Sequence, residues 1–221
     1  MCGRFTLRTP AAALAERFFC DAPPDLAPRY NVAPTQAVAA IRCRTGASGR
    51  EFAWLRWGLV PAWARDPTGG KPMINARAET VHEKPAFRSA FRRRRCLILA
   101  DGYYEWQKMG KAKQPFYIHL ADGRPFSLAG LWERWGAAGA PDAIESCTII
   151  TTEANVLTQP IHDRMPVILR DADLGHWLDP QCDAELLRSL LVPYAADDLV
   201  AEPVSAYVNS PQHDDSQCIA R

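Results

Sequence analysis

The stretch from residue 115 to residue 130, PFYIHLADGRPFSLAG, holds the strongest folding signal in the chain. Two apolar runs, at 115–121 and 125–130, flank Asp122-Gly123. Asp-Gly between such runs is typical of a tight hairpin turn, because both residues tolerate the positive φ angles that the turn requires. The sequence therefore predicts two strands joined by a hairpin here.

Apolar runs on both sides of this stretch predict the rest of a sheet. Residues 36–43 and 51–57 flank a second turn signal, TGASG at 45–49, and CLILA at 96–100 is typical of a buried strand. The arginine tract at 92–95 is predicted to be a solvated segment before that strand. Further strands are predicted at 145–152 and 165–169, and helices at 11–19, 171–178 and 183–191. Hairpin strands with helices at the ends indicate an α+β fold with a curved, mainly antiparallel sheet.

Composition narrows the class of protein. The 221 residues are 48% hydrophobic and 23% charged, as in a folded globular protein, and we expect one domain over residues 1–221. No apolar run approaches the ~20 residues of a membrane helix, and the start lacks a secretory signal. Seven cysteines without a CxxC pair argue against a disulfide framework or zinc site, so we expect a cytoplasmic protein. A net charge of +1 argues against strong non-specific binding to duplex DNA.

Cys2 becomes the first residue once Met1 is trimmed. An N-terminal cysteine carries an amine of pKa ~7.7–8.0 beside a thiol of pKa ~8.5, so both are partly nucleophilic near neutrality. With an aldehyde, the amine forms an imine and the thiol then closes a five-membered thiazolidine ring. The alternative is an incidental early cysteine.

Three other segments carry candidate polar residues. Asn75 and Arg77 alternate onto one face of an extended segment, for which a solvent-facing strand is an equal alternative. Glu105, beside aromatic residues including Trp106, is a candidate general acid or base, and the alternative is an aromatic cluster over the core. His162 is the histidine best suited to proton transfer, against the alternative of a structural role.

Arginines interleaved with aromatic residues occur twice, at 29–35 (RYNVAPT) and at 56–63 (RWGLVPAW). This pairing suits single-stranded nucleic acid, because guanidinium groups bind phosphates and rings stack on bases. A core role for Trp57 is the alternative interpretation of the second segment.

Six motifs follow one another along the chain: CGRF at 2–5, RYNVAPTQ at 29–36, RWGLVPAW at 56–63, INARAET at 74–80, ADGYYEW at 100–106 and IHDRMPVIL at 161–169. Together they resemble the SRAP family, named for SOS response-associated peptidases and also known as abasic site processing proteins. The resemblance implies curved, mainly antiparallel sheets that form an open barrel-like core flanked by helices. It also implies covalent capture of abasic sites in single-stranded DNA through a thiazolidine, which shields the lesion during the DNA damage response.

By this resemblance, four residues carry the chemistry. Cys2 forms the cross-link, and Asn75 orients its amine or the sugar. Glu105 moves protons to and from the amine, and His162 assists sugar-ring opening and reversal. The peptidase name implies that the chain removes its own Met1, and the imine allows weak lyase activity.

The resemblance also implies a DNA-binding surface. Arginines hold phosphates, and a proline and two tryptophans form an apolar shelf where single-stranded DNA meets a duplex. Because the family often has adjacent tryptophans where this chain has Trp63-Ala64, the size of the shelf is left open. The residues implied are Arg4, Pro34, Trp63, Arg77, Trp106, Thr151 and Arg164. We expect a monomer with no metal, cofactor or membrane partner.

Two other classes of function remain open on the sequence. Glutamine amidotransferases also begin Met-Cys-Gly, which makes an N-terminal cysteine amidohydrolase the nearest enzymatic alternative. A non-covalent reader of modified or single-stranded DNA is the other. The second would tolerate Cys2→Ala, whereas covalent capture would not.

Overall fold

The computed structural model describes residues 2–21, 26–44 and 49–220. These residues form strands separated by turns and short helices. The strands are β1 (Phe5–Leu7), β2 (Arg29–Val32), β3 (Ala37–Cys43), β4 (Arg50–Trp57), β5 (Asn75–Arg77), β6 (Arg95–Ala100), β7 (Gly102–Met109), β8 (Ala112–Leu120), β9 (Phe126–Trp135), β10 (Ile144–Glu153), β11 (Arg164–Pro166), β12 (Ile168–Leu169) and β13 (Leu199–Pro203). The α-helices are α1 (Ala11–Phe18), α2 (Arg88–Arg93), α3 (Leu174–Leu178) and α4 (Ala184–Ser189), and 3-10 helices lie at Asp171–Asp173, Ala196–Asp198, Ala206–Asn209 and Ser216–Ile219.

The strands are arranged in two sheets. Among the described residues, one sheet has five strands in the order β13-β8-β7-β1-β2. In the other, β10 pairs with β4 on one side and with β9 on the other, so β10, β4, β3, β6 and β9 follow one another in a ring. The pairs are antiparallel except those of β10 with β4 and β5. The predicted α+β class with curved, mainly antiparallel sheets is confirmed. The ring of strands corresponds to the open barrel-like core that the family resemblance implied.

Alternation along the strands produces apolar clusters on both faces of the ring. Trp57 of β4 and Ile98 of β6 belong to a cluster that also contains Tyr103 and Ile118 of the five-stranded sheet, so this cluster lies between the two sheets. Trp57 is fully buried, which confirms the alternative interpretation of this residue as part of the core. Burying an apolar side chain of this size stabilises the fold by about 1.5–3 kcal/mol.

Helices and the C-terminal segment cover the outer faces of the sheets. Leu14 of α1 and Trp177 of α3 pack with Ile41 and Leu97 against the outside of the ring. Each predicted helix is present, although residues 171–178 begin as a 3-10 helix. Among the described residues, no helix has the length and apolar character needed to cross a membrane.

The hairpin predicted around Asp122-Gly123 is wrong in its pairing. The turn exists, since Gly123 has a φ of 71° and donates its N–H to Leu120 O at 2.9 Å. Its two strands nevertheless belong to different sheets: β8 pairs with β7 and β13, and β9 pairs with β6, β10 and β12. The turn signal reports backbone geometry and not strand partners, and here the turn carries the chain from one sheet to the other.

The other predicted hairpin is confirmed. Strands β3 and β4 pair antiparallel from Ala37 opposite Arg56 to Cys43 opposite Arg50. Residues 45–48 of its turn lie outside the described residues.

The predicted strand at 165–169 is split into β11 and β12. Val167 between them donates its N–H to Ile150 O at 2.9 Å and accepts the N–H of Ala129 at 2.9 Å. The segment therefore passes from a partner on β10 to a partner on β9, which gives two short strands.

The predicted solvated arginine tract is wrong at its last residue. Arg92 and Arg93 are exposed at the end of α2, but Arg95 is buried. Its guanidinium donates to backbone oxygens of Phe91 and Trp177 at 2.7 and 2.6 Å, so it ties α2 to α3.

Candidate active site

Cys2 lies beside β7, the strand that carries Glu105. Strand β1 pairs with β7 with Phe5 opposite Tyr103, and the N–H of Tyr104 donates to Arg4 O at 2.9 Å. The pairing thus continues beyond β1 towards the N-terminus. In this chain, which retains Met1, Cys2 has no exposed surface.

The surroundings of Cys2 keep its thiol protonated. Burial raises the pKa of the Cys2 thiol, and the nearby charge of Glu105 raises this pKa further. The backbone N–H of Arg4, which hydrogen-bonds the sulfur, lowers it by a smaller amount. Because the thiolate is the nucleophilic form, reaction at this sulfur requires a group that accepts its proton.

Asn75 makes a direct contact with Cys2. It is the first residue of β5, which pairs in parallel with β10 so that Asn75 lies opposite Ile149. Asn75 Nδ2 donates a hydrogen bond to Cys2 O at 2.9 Å. Asn75 Oδ1 is buried and has no hydrogen-bond partner among the described residues. The amide nitrogen of Asn75 therefore holds the Cys2 backbone, while its amide oxygen can accept a further hydrogen bond.

Glu105 is almost completely buried in the middle of β7, at 4% exposure, opposite Phe116 of β8. Its charge raises the pKa of both Cys2 and Tyr103, after the larger effect of burial on each. A carboxylate in this position has the cysteine within electrostatic reach and is shielded from water. It can serve as the proton acceptor that a buried thiol or amine requires.

His162 lies in the loop between β10 and β11, which is ordered by internal hydrogen bonds. Asn155 Oδ1 accepts the N–H groups of Leu157 and Thr158, and the N–H of His162 donates to Thr158 O at 3.0 Å. The loop is also tied to β7, since Gln107 Nε2 donates to Pro160 O at 3.0 Å. These bonds hold the loop of His162 next to the strand of Glu105.

The ring of His162 has two polar neighbours at Nδ1. The backbone N–H of Arg164 is 3.0 Å from Nδ1 and donates to it when Nδ1 carries no proton. Asp163 Oδ1 is 2.9 Å from the same Nδ1 and accepts its proton when Nδ1 is protonated, but the Asp163 side chain is largely exposed, so this ion pair is weak. Nδ1 therefore has a partner in either tautomer.

The four residues predicted to be catalytic come from four separate segments, and the fold gathers those segments. Asn75 bonds to Cys2, Glu105 acts on Cys2 electrostatically, and the loop of His162 is hydrogen-bonded to β7. Neighbouring Ile161 packs in the same apolar cluster as Cys2. No group of three or more potential metal ligands among His, Cys, Asp and Glu occurs in the described part of the chain.

Three of the predicted DNA-contacting residues meet on the edge formed by β5, β10 and β11. Arg77 is exposed and lies opposite Thr151, which is buried. Arg164 donates to Thr151 O at 2.6 Å and forms a two-pronged ion pair with Glu79 at 2.5 and 2.9 Å. Of these three side chains, Arg77 is the exposed one, and Thr151 is fully buried.

Arg4 and Trp106 are tied to the C-terminal segment. Arg4 donates to Asn31 Oδ1 at 2.9 Å and Val208 O at 3.1 Å, and burial lowers its pKa. Trp106 Nε1 donates to Asn209 Oδ1 at 2.8 Å. Both side chains are half-buried, so they present only part of their surface to a ligand.

Trp63 and Pro34 lie apart from these groups in sequence and differ in exposure. Trp63 is 68% exposed and lines a cavity of about 280 Å³, whereas Pro34 is half-buried. Three basic side chains lie on the cavity wall: Arg56, which belongs to the predicted arginine–aromatic segment at 56–63, and Arg65 and Lys71, which the sequence analysis did not single out. Arg65 and Lys71 stand outside that segment, so no local pattern joined them to it.

Comparison with known proteins identifies the same family that the six sequence motifs resemble. A profile of the SOS response associated peptidase (SRAP) family matches residues 1–211. The chain belongs to the SRAP family. SRAP relatives similar to it include the abasic site processing protein YoqW of Bacillus subtilis, 46% identical with 99% of both chains covered, and YedK of Escherichia coli, 33% identical with 99% of both covered. A crystal structure of a Bacteroides thetaiotaomicron protein has a TM-score of 0.89 at 30% identity and covers 100% of this chain and 99% of its own.

Proposed function

We propose that this SRAP protein processes abasic sites in single-stranded DNA by forming a covalent bond through Cys2. The observation that carries the proposal is the hydrogen bond from Asn75 to the Cys2 backbone beside the buried carboxylate of Glu105. These residues, distant in sequence, surround a cysteine that becomes an aminothiol when Met1 is removed. The relatives are named abasic site processing proteins, which supports the choice of substrate.

The proposed reaction needs no metal and no redox partner. The open form of an abasic sugar has an aldehyde at C1′, which the Cys2 amine attacks. Loss of water gives an imine, and the Cys2 sulfur then bonds to C1′ and closes a thiazolidine. Since the second attack is intramolecular, its effective concentration can reach ~10⁵ M or more.

Each polar residue of the site either transfers a proton or orients Cys2. Glu105 accepts the proton that the terminal amine carries at neutral pH, and His162 donates a proton to the sugar ring oxygen as the ring opens. Asn75 holds the Cys2 backbone through its bond to the carbonyl. The same imine permits elimination of the 3′ phosphate, which is the basis of a weak lyase activity.

The DNA path follows the exposed basic and aromatic side chains. We propose that Arg77 contacts a phosphate directly and that Thr151 positions Arg164 through its carbonyl. Trp63 and Pro34 support bases at the junction of single- and double-stranded DNA. Arg4 and Trp106 line the path where it passes the C-terminal segment.

Removal of Met1 is the proposed activating step. It frees the amine and shortens the chain beside a cysteine that is otherwise fully buried. Either the chain itself or a methionine aminopeptidase performs the cleavage. We further propose that the protein acts as a monomer in the cytoplasm, where chromosomal DNA is found.

The direct test is Cys2→Ala with an abasic single-stranded oligonucleotide. The trimmed wild-type protein is expected to give a DNA band that resists denaturation, and Cys2→Ala to give none while weak binding remains. Cys20→Ala, which removes a half-buried thiol from the end of α1, is the matched control and should keep the band. A band that persists in Cys2→Ala would show that the nucleophile is wrong, and binding without any wild-type band would favour the non-covalent reader.

A further inference from the structure

The hydroxyl group of Tyr103 is a buried donor without a hydrogen-bond partner. Tyr103 is fully buried, and its hydroxyl makes no hydrogen bond to any residue that the structure describes. Neighbouring tyrosines are satisfied: Tyr104 donates to Tyr30 O at 2.7 Å, and the Tyr117 hydroxyl is 2.9 Å from Thr6 Oγ1. Because leaving a buried polar group unpaired is costly, such a group in a native fold calls for an explanation.

Tyr103 lies at the proposed reaction centre. It is two residues before Glu105 on β7, so the two side chains leave the strand on the same face. It also belongs to the apolar cluster that contains Cys2. Burial raises the pKa of Tyr103, and the charges that Cys2 and Glu105 carry when ionised raise it further, as expected for close neighbours.

A tyrosine in this state is a hydrogen-bond donor and not a base. Its raised pKa keeps the hydroxyl protonated across the neutral range. The group that gains negative charge next to it during the reaction is the sulfur of Cys2, whose thiol is neutral at rest. A donor whose partner becomes charged only as the reaction proceeds stabilises the transition state more than the ground state.

We propose that the Tyr103 hydroxyl is a further catalytic group, which donates a hydrogen bond to the Cys2 sulfur as the thiazolidine ring closes. This inference rests on the proposed function. In the step, the thiol proton passes to the Glu105 carboxylate and the sulfur forms a bond to C1′ of the protonated imine. The π pair of the C1′=N bond moves to the nitrogen, which becomes a neutral ring amine, and Glu105 later releases its proton to water.

The experiment compares Tyr103→Phe with Tyr104→Phe in single-turnover cross-linking to an abasic oligonucleotide. Borohydride added at early times reduces any open imine and so separates imine formation from ring closure. Tyr103→Phe is expected to close the ring about ten-fold more slowly and to accumulate more trapped imine, because a hydrogen bond to a charged group is lost. Its melting temperature should be unchanged or higher, since an unpaired buried hydroxyl is removed.

Tyr104→Phe is the matched control. Tyr104 lies on the opposite face of β7 from Tyr103, and its hydroxyl has a partner, Tyr30 O. It should lower the melting temperature and leave the rate and the trapped fraction unchanged. A wild-type rate and trapped fraction in Tyr103→Phe would overturn the inference. So would a loss of stability or of folding in that variant, which would assign the hydroxyl a structural partner. Absence of any adduct with the wild-type protein would instead overturn the proposed function.

Discussion

Cys2 is fully buried, and it is also the residue that must react. Its thiol has a raised pKa because of burial and the charge of Glu105, so the sulfur is protonated at rest. The same carboxylate that opposes thiolate formation is the group able to accept the proton. Glu105 therefore keeps the thiol protonated at rest and accepts its proton when the sulfur reacts.

Glu105→Gln is expected to slow imine formation, measured as borohydride-trapped adduct, mostly at low pH. Below the amine pKa of ~7.7–8.0 the amine is protonated and needs a base, whereas above it the free amine dominates. We expect a loss of about 100-fold near pH 6.5, typical of general-base catalysis, that narrows to a few-fold near pH 8.5. Single-turnover rates of imine formation across this range, with the exposed Glu16→Gln on α1 as control, measure this loss. A deficit in imine formation that is the same at every pH would remove Glu105 from deprotonation of the amine.

Arg77→Ala is expected to weaken binding to single-stranded DNA and to reduce its salt dependence. Arg77 is the exposed arginine of the β5 edge, and each lost phosphate contact lowers the slope of log K against log salt by about 0.7 on a single strand. Binding titrations at several salt concentrations measure the slope. Arg93→Ala, in the exposed part of the arginine tract, should keep it. An unchanged slope in Arg77→Ala would argue against a phosphate contact there.

At the scale of elements, the sequence predicted most strands but not all their partners. Apolar runs and turn residues identified β3, β4, β6 and β10, because these signals are local. The turn at Asp122-Gly123 was recognised and its pairing was missed, because strand partners depend on residues far along the chain. Strand β1, only Phe5–Leu7, is too short to give a periodic pattern and is stabilised by pairing with β7.

Helix α4 gives an element-scale prediction, because its N-terminus is capped by a side chain. Asp183 Oδ2 accepts the N–H groups of Glu185 and Leu186 at 2.7 and 3.2 Å. Asp183→Ala should cost about 1 kcal/mol of folding free energy and lower the melting temperature by about 2–4 °C, with cross-linking unchanged. Asp173→Ala is the control, since Asp173 precedes α3 without a side-chain capping bond. Equal losses in the two variants would contradict the capping account.

At the scale of the whole molecule, the candidate site exists only because both sheets contribute to it. Cys2 and Glu105 belong to the five-stranded sheet and its N-terminal extension, while Asn75 and the loop of His162 belong to the sheet that contains the ring. Motif order identified these four residues through the family. Their contacts, and the unpaired hydroxyl of Tyr103, depend on how the two sheets pack, which no local pattern in the sequence encodes.

The central claim is that a terminal aminothiol at Cys2 captures an abasic sugar, and intact mass measures this directly. Protein that begins at Cys2 is incubated with an abasic single-stranded oligonucleotide, beside protein that retains Met1. The account predicts a new species for the trimmed protein, equal in mass to protein plus oligonucleotide less one water, and none for the protein that retains Met1. An adduct of equal yield with Met1 in place, or no adduct with the trimmed protein, would contradict it.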